Sequence, residues 1–225
     1  MDLPGHGGSP RQPRGAGNAP ADLATAVAEL LDELGLDSVH VAGNSNGGWV
    51  ALELARLRRA RTVTALSPGG LWRRSGAPAH IRLAMRQMRV NARIVRRLAP
   101  NAPRTRAARA AFLAQACGHP SKVPHELART AVHDMATAPG FRETLRAAER
   151  TSFRGGDDIH VPVTVAYGTR DRVMLPSVDR RRGELPAHTR VVRLPGCGHI
   201  AMFDDPPAVA ALVLESSRAA SRLHT

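Results

Sequence analysis

A β-branched run, Val39-His40-Val41-Ala42, ends at Gly43-Asn44-Ser45-Asn46-Gly47-Gly48-Trp49 and passes directly into a helical pattern, Val50-Ala51-Leu52-Glu53-Leu54-Ala55-Arg56-Leu57. This stretch constrains the fold more than any other. A strand that becomes a helix within so few residues holds its central residue in strained backbone, and side chains two positions to either side would collide. That reading accounts for Gly43 and Gly47. The Ser45 hydroxyl would stand clear of the sheet at a helix N-terminus, with the Asn46 N–H beside it as a donor to a developing oxyanion. An ordinary glycine-rich turn is spelled with the same letters; suitable partners downstream separate the two readings.

Around this turn the chain alternates. Residues 1–19 read as loop. Pro20 then opens a helix with Leu23, Val27, Leu30, Leu31 and Leu34 at helical spacing, and Gly35 stops it. The strand of the turn covers 38–42 and its helix 47–59, and a strand over 62–66 closes at Ser67-Pro68-Gly69-Gly70. The rhythm returns with a strand over 161–167, a short helix over 176–183, a strand over 190–194 and a helix over 206–222. Pro162 is tolerable only near the beginning of its strand. Strand, helix and strand in this order predict an α/β fold, a mostly parallel sheet with crossover helices.

Between the two halves the alternation stops. Residues 72–151 read as helical throughout, most simply an inserted cap over the active-site edge, leaving 1–71 and 152–225 as the core. From 73 to 109 this block carries eleven arginines and no Asp or Glu. Its first helix has an apolar stripe of Ile81, Met85, Met88, Ala92 and Val95. An arginine row runs one residue on, at Arg82, Arg86, Arg89, Arg93 and Arg96. The plain reading is an apolar face on the core and a solvated basic face. The functional one is a surface for anionic substrates, acidic lipid headgroups or an acidic partner.

The formal net charge of +13 raises the question of nucleic acid. Lys122 is the only lysine among 32 basic residues, and with one Tyr and four Phe there is little aromatic surface for base stacking. The composition follows GC-rich codons, and no nucleic-acid partner is expected. Cys117 and Cys197 form no disulfide framework. No apolar run is long enough for a transmembrane segment and none at the front resembles a signal peptide, so a cytoplasmic location is expected. No His, Cys or acid cluster has metal-ligand spacing and no glycine-rich phosphate loop is present. No cofactor is expected, only a small-molecule substrate, and no feature bears on oligomeric state.

A serine hydroxyl is a poor nucleophile at neutral pH and needs a base, itself held by an acid. Gly168-Thr169-Arg170-Asp171-Arg172 follows the strand over 161–167, and Asp171 is the first carboxylate past its end. The alternative is a surface aspartate paired with Arg170 or Arg172. Pro195-Gly196-Cys197-Gly198-His199-Ile200 follows the last strand, and its two glycines let the loop bend close with His199 at its tip. Asp204 and Asp205, before Pro206-Pro207, read as the start of the final helix.

These motifs together resemble the α/β-hydrolase superfamily over most of the chain. Asp2-Leu3-Pro4-Gly5-His6-Gly7-Gly8-Ser9 is similar to the loop after that family's fourth strand. Gly43 to Gly48 resembles its nucleophile elbow, and Gly168 to Asp171 and Gly196 to His199 its acid and histidine loops. The resemblance implies a catalytic triad of Ser45, Asp171 and His199, with Asn46 as oxyanion donor, acting on an ester, amide, thioester or activated carbon–carbon bond through an acyl-enzyme. A serine at the elbow argues against the dehalogenase and epoxide-hydrolase branches, which place an aspartate there.

The departure is at the front. The family's loop matched by Asp2 to Ser9 is preceded by about fifty residues at average element lengths. That part normally supplies the second oxyanion donor and the strand that pairs with the elbow strand. His6-Gly7-Gly8 could be read as a substitute donor loop, but it aligns with the later motif. The elbow strand is therefore expected at a sheet edge, and the simplest expectation is that the true start lies upstream of Met1. Three functions compete: a capped serine hydrolase, a binding protein that keeps the triad but lacks part of the oxyanion hole, and a basic interaction protein working through the cap.

Overall fold

The computed structural model describes residues 1–13, 15–73, 75–176 and 180–219. Four parallel strands form one sheet in the order β1 (Val39–Asn44), β2 (Ala60–Leu66), β3 (Val163–Gly168) and β4 (Arg190–Leu194). The registers Asn44↔Leu66, Leu66↔Ala166 and Gly168↔Leu194 bring the C-terminal ends of the strands into line. The loops that leave them therefore share one edge, where open parallel sheets build their sites.

Helix α1 (Pro20–Glu33) starts at its proline and is followed by Gly35 at φ 66°, the left-handed stop its sequence calls for. Helix α2 (Asn46–Arg56) lies on the sheet with every residue from Gly48 to Ala55 buried. Leu23 and Val27 of α1 pack on Val50 and Leu54 of α2, whose other face joins Val63, Val165, Phe153 and Ile159 in the main core. Burial of each large aliphatic side chain there is worth about 1.5–3 kcal/mol. Leu30 and Leu34, expected on the inner face of α1, are exposed at 38% and 62%. The helix meets α2 along a narrower face than its stripe of leucines covers.

Among the described residues β1 pairs only with β2, at the sheet edge expected for the elbow strand. His40 and Ala42 of β1 are exposed, whereas all six residues of β3 are buried.

The segment between β2 and β3 contains no strand among its described residues. It holds α3 (Ala79–Leu98), α4 (Arg106–Leu113), α5 (His125–Thr137) and α6 (Phe141–Ala148). Trp49 of α2 meets Trp72 edge to face at 5.7 Å, joining the elbow helix to the start of this insert. Ile81, Ala92 and Val95 of α3 are buried and Met85 and Met88 half-buried, as the stripe predicts. Arg89 departs from the expected solvated row: it is buried because its guanidinium donates to Met135 O and Ala138 O at the end of α5. Arg93 does the same at Ala136 O, so both offset the free carbonyls of that helix end.

The chain closes with a short α7 (Ala201–Asp204), unanticipated in the sequence, and α8 (Pro206–Ala219). Of the helix expected over 176–183, residues 177–179 lie outside the described residues, and 180–182 are not helical. Among the described residues no helix is long and apolar enough to cross a membrane.

Candidate functional site

Ser45 sits between β1 and α2 at φ 56° and ψ −113°, a backbone conformation that L-residues avoid unless the surroundings impose it. The surroundings do: Ser45 N–H donates to Leu66 O at 2.9 Å, and its carbonyl accepts from Gly69 N at 2.9 Å and Trp49 N at 3.2 Å. A Cβ on Gly43 would stand 2.2 Å from Gly47 O, so glycine is obligatory there. The same argument fails for Gly47, whose Cβ would meet nothing within 4 Å. Gly47 has already turned into α2 and points away from β1; Gly48 packs more closely, with a Cβ position 3.1 Å from Gly43 O and from Pro68. The Asn46 N–H, in the first turn of α2, finds no acceptor among the described residues.

Asp171 and His199 are brought together from the ends of β3 and β4. His199 Nδ1 lies 3.2 Å from Asp171 Oδ2, with both side chains nearly out of reach of water, at 5% and 0% exposure. Asp171 Oδ1 accepts from the N–H groups of Val173 and Met174, each at 2.9 Å. Burial alone would raise the Asp171 carboxyl. The hydrogen bond and charge of His199, the Met174 N–H and the Ser67 hydroxyl outweigh it and hold the group below the ordinary aspartate value. Asp171 is therefore no surface aspartate, and its neighbours turn elsewhere: Arg170 donates to Gly118 O and Arg172 to Ala114 O.

Glycines permit this approach. A Cβ on Gly168 would stand 2.2 Å from Cys197 O, and one on Gly198 2.6 Å from the backbone of Cys117 and Gly118. Gly196 takes φ 73°. The amide of Asn44 joins the histidine loop to the elbow by donating to His199 O at 2.8 Å and Leu66 O at 3.1 Å. The Ser45 hydroxyl itself makes no hydrogen bond among the described residues, so of the links joining Ser45, His199 and Asp171 only the one between His199 and Asp171 is closed.

Asp204 does more than its sequence context suggests. Asp205 caps α8 by accepting from Ala208 N at 3.0 Å. Asp204 instead accepts from Gly118 N at 2.8 Å, His119 N at 2.6 Å and Gly198 N at 2.8 Å, tying the insert to the histidine loop. Ile200 N–H to Ala116 O at 2.9 Å reinforces the same seam. Burial and the Asp204 carboxylate push the Cys117 thiol up to about 12 and raise Cys197 as well, so neither is a thiolate near neutral pH.

A cavity of about 740 Å³ lies over Ser45, within the range of small-molecule sites. Trp72, Ile81, Met85, Leu145 and Met174 give it apolar walls, and it continues along the free edge of β1 past Val41 to Leu31. The loop at the front contributes Asp2, Leu3 and His6. In this loop the Gly8 N–H donates to Asp2 and the His6 N–H to Leu3 O. Among the described residues no group of three or more His, Cys, Asp or Glu side chains is arranged to hold a metal ion.

Sequence reasoning missed Asn44, Ser67 and Asp204. Ser67 could have been found, because it follows β2 at the edge where β3 delivers Asp171. Asp204 could not, since two of its three partners lie 85 and 86 positions away.

The pattern of the alpha/beta hydrolase family matches residues 1–212. Epoxide hydrolase EphH of Mycobacterium tuberculosis (strain ATCC 25618 / H37Rv) is 33% identical over 214 residues, covering 86% of this chain and 92% of that protein. Among solved structures, the enol-lactonase from Burkholderia xenovorans LB400 superposes with a TM-score of 0.67 at 22% identity, over 95% of this chain and 78% of its own. A thermophilic esterase from Thermogutta terrifontis does so at 0.65 and 22% identity, over 97% and 78%. At these identities the two structures share the fold.

Proposed function

The chain belongs to the alpha/beta hydrolase family, and on that premise we propose that it hydrolyses a small ester-like or activated carbon–carbon substrate, with Ser45 as nucleophile, His199 as general base and Asp171 as the acid that orients it. One observation carries this reading. His199 is anchored on both sides, its Nδ1 on a buried and saturated Asp171 carboxylate and its carbonyl on the side chain of Asn44, the residue before Ser45. An imidazole held in this way keeps Nδ1 protonated and leaves Nε2 as the acceptor for the serine proton.

The steps follow from those roles. Ser45 Oγ attacks the substrate carbonyl while His199 Nε2 takes its proton. The tetrahedral oxyanion accepts a hydrogen bond from Asn46 N–H. His199 returns the proton to the leaving group as the carbonyl re-forms, leaving an acyl-serine. Water, deprotonated by His199, attacks this ester; expulsion of Ser45 Oγ, which recovers its proton from His199, restores the enzyme. The apolar walls of the cavity suit a substrate whose non-reacting part is hydrophobic.

The EphH relative motivates a second substrate class. Opening an oxirane with Ser45 would leave an ether, which has no carbonyl for water to attack and would stall the enzyme. A covalent epoxide route would need a carboxylate nucleophile, and among the described residues Asp2 is the one carboxylate lining the cavity.

Intact mass after a fluorophosphonate probe, with turnover of short p-nitrophenyl esters and of styrene oxide, tests both readings. Labelling and ester turnover lost in Ser45→Ala are expected. A folded wild-type chain that stays unlabelled and inert to esters would overturn the serine mechanism. Styrene oxide turnover that survives Ser45→Ala and is lost in Asp2→Asn would replace it with the second.

A further inference from the structure

The outward side of α3 carries two stripes. Leu83, Val90, Ile94 and Leu98 form one, exposed at 67%, 54%, 51% and 77%. Arg82, Arg86, Arg93 and Arg97 run beside it, at the spacing that places residues on one helix face. The inward side is already occupied by Ile81, Ala84, Ala92 and Val95. The four aliphatic side chains are therefore not a core stripe, and nothing among the described residues covers them.

Between α3 and α6 lies a second cavity of about 430 Å³, which Val90 shares with the aliphatic stripe. Its charged lining is Arg86, Arg89, Arg93, Arg142, Arg146 and Glu149. The one carboxylate among them, Glu149, is engaged by Arg86 at 2.6 Å. Arg89 is 9% exposed and stacked 4.4 Å from the centre of the Phe141 ring; its Nε is buried without a partner. Arg142 and Arg146 are exposed and make no ion pair among the described residues. Burial lowers the Arg89 pKa, the charges of Arg93 and Arg142 add to the effect, and Glu143 opposes it.

We propose that this face of the insert is a docking surface for an anionic phospholipid bilayer, with Leu83, Val90, Ile94 and Leu98 entering the headgroup boundary and a lipid phosphate held in the arginine pocket between α3 and α6. The chemistry selects this occupant. A free anion would use the arginines and gain nothing from four exposed aliphatics. Nucleic acid would call for exposed aromatic stacking surface, and none of the seven Phe, Tyr and Trp residues is exposed; Phe141, which lines the pocket, is half-buried and covered by the Arg89 guanidinium. A second copy of the chain would bring its own arginines against these. A bilayer with acidic headgroups matches both stripes along a 20-residue helix, about 30 Å long by its rise per residue. The docking is independent of the triad and does not require the chain to be a hydrolase.

The test is co-sedimentation of the full chain with vesicles of phosphatidylcholine alone and of phosphatidylcholine carrying about 30% phosphatidylglycerol. It is run with wild type, Leu83→Ser/Ile94→Ser and Arg142→Glu/Arg146→Glu, each checked by circular dichroism. The wild type should sediment with the anionic vesicles only, and each double variant should lose affinity by at least about tenfold. No binding to anionic vesicles overturns the proposal, as does equal binding to both vesicle types or full binding by either variant. Inorganic phosphate binding that is unchanged in Leu83→Ser/Ile94→Ser, without vesicle binding by wild type, overturns it in favour of a free-anion site. A dimer that dissociates in the serine variant overturns it in favour of self-association.

Discussion

β1 and β3 are parallel strands of six residues that end at the same edge of one sheet, and each delivers one candidate catalytic residue. β3 is buried along its whole length, and Asp171 beyond it sits in a site closed by Val173 N, Met174 N, Ser67 and His199. β1 lies at the margin of the sheet, alternately exposed, and presents Ser45 beside a cavity that runs on along its free edge. Asp171 and His199, the candidate acid and base, are held by hydrogen bonds from Val173 N, Met174 N and Asn44 and by the one between them. Ser45, the candidate nucleophile, is held by close backbone packing at Gly43 and by backbone hydrogen bonds to Leu66 O and from Gly69 N and Trp49 N, while its hydroxyl has no partner among the described residues. The difference predicts that damage on the β3 side acts through protonation and orientation, and damage on the β1 side through the shape of the turn.

The largest effect should come from the nucleophile. Ser45→Ala should lower ester turnover by about 10⁴-fold or more, with the thermal midpoint little changed. A residual rate above about a tenth of wild type, measured on enzyme shown free of wild-type carry-over, would mean that Ser45 does no chemistry.

Asp171→Asn comes next, at about 10³–10⁴-fold in kcat, because the amide favours the wrong imidazole tautomer. The same variant tests the electrostatics. A carboxyl held below its unfolded value stabilises the fold fully above the ordinary aspartate range, and that contribution is lost as pH falls through the folded value. The gap in urea midpoint between wild type and Asp171→Asn should thus be widest near neutral pH and narrow below about pH 4. A gap that does not vary with pH would show that the Asp171 charge is not stabilised by its neighbours.

The turn on the β1 side can be probed by two alanines four residues apart. Gly43→Ala drives a Cβ into Gly47 O and should destabilise by about 2–3 kcal/mol, with loss of activity from displacement of Ser45. Gly47→Ala places its methyl in open space near the start of α2 and should stabilise by up to about 1 kcal/mol through helix propensity. Urea melts of the pair check this, and equal destabilisation by both would show that the turn is not held by the Gly43 contact.

That asymmetry marks how far the sequence could be read. The placement of Ser45, Asp171 and His199 at one edge of the sheet was legible because each stands in a glycine-marked loop just past a strand, and a parallel sheet aligns such loops. The symmetric role assigned to Gly43 and Gly47 followed from the spacing of the letters, which does not say which residue has already joined the helix. The apolar stripe of α3 from Ile81 to Val95 was legible from its period. The burial of Arg89 was not, because it depends on carbonyls at the end of α5, over forty residues on. The outer stripe from Leu83 to Leu98 was hidden in the same helix because two apolar stripes and one basic stripe overlap in a single periodic signal.

Asp204 is the hardest case for sequence reading and gives the subtlest prediction. It belongs to the secured side of the comparison, since it fixes the loop that carries His199 to the segment 116–119 of the insert. Its neighbour Asp205 accepts instead from one local donor, Ala208 N in the first turn of α8. Asp204→Asn replaces one carboxylate oxygen by an amide that faces a backbone donor, so at least one of the three hydrogen bonds is lost, at a cost of about 1–3 kcal/mol. Asp205→Asn should cost less, because asparagine is as good a helix cap as aspartate. If the Asp204 bonds hold His199 in place, Asp204→Asn should lower kcat by about tenfold with KM nearly unchanged, since misplacing a base weakens the transition state more than it weakens binding. A variant with a lower melting temperature and wild-type kcat would show that the seam between insert and histidine loop serves the fold alone, and that Asp171 and Asn44 suffice to aim the imidazole.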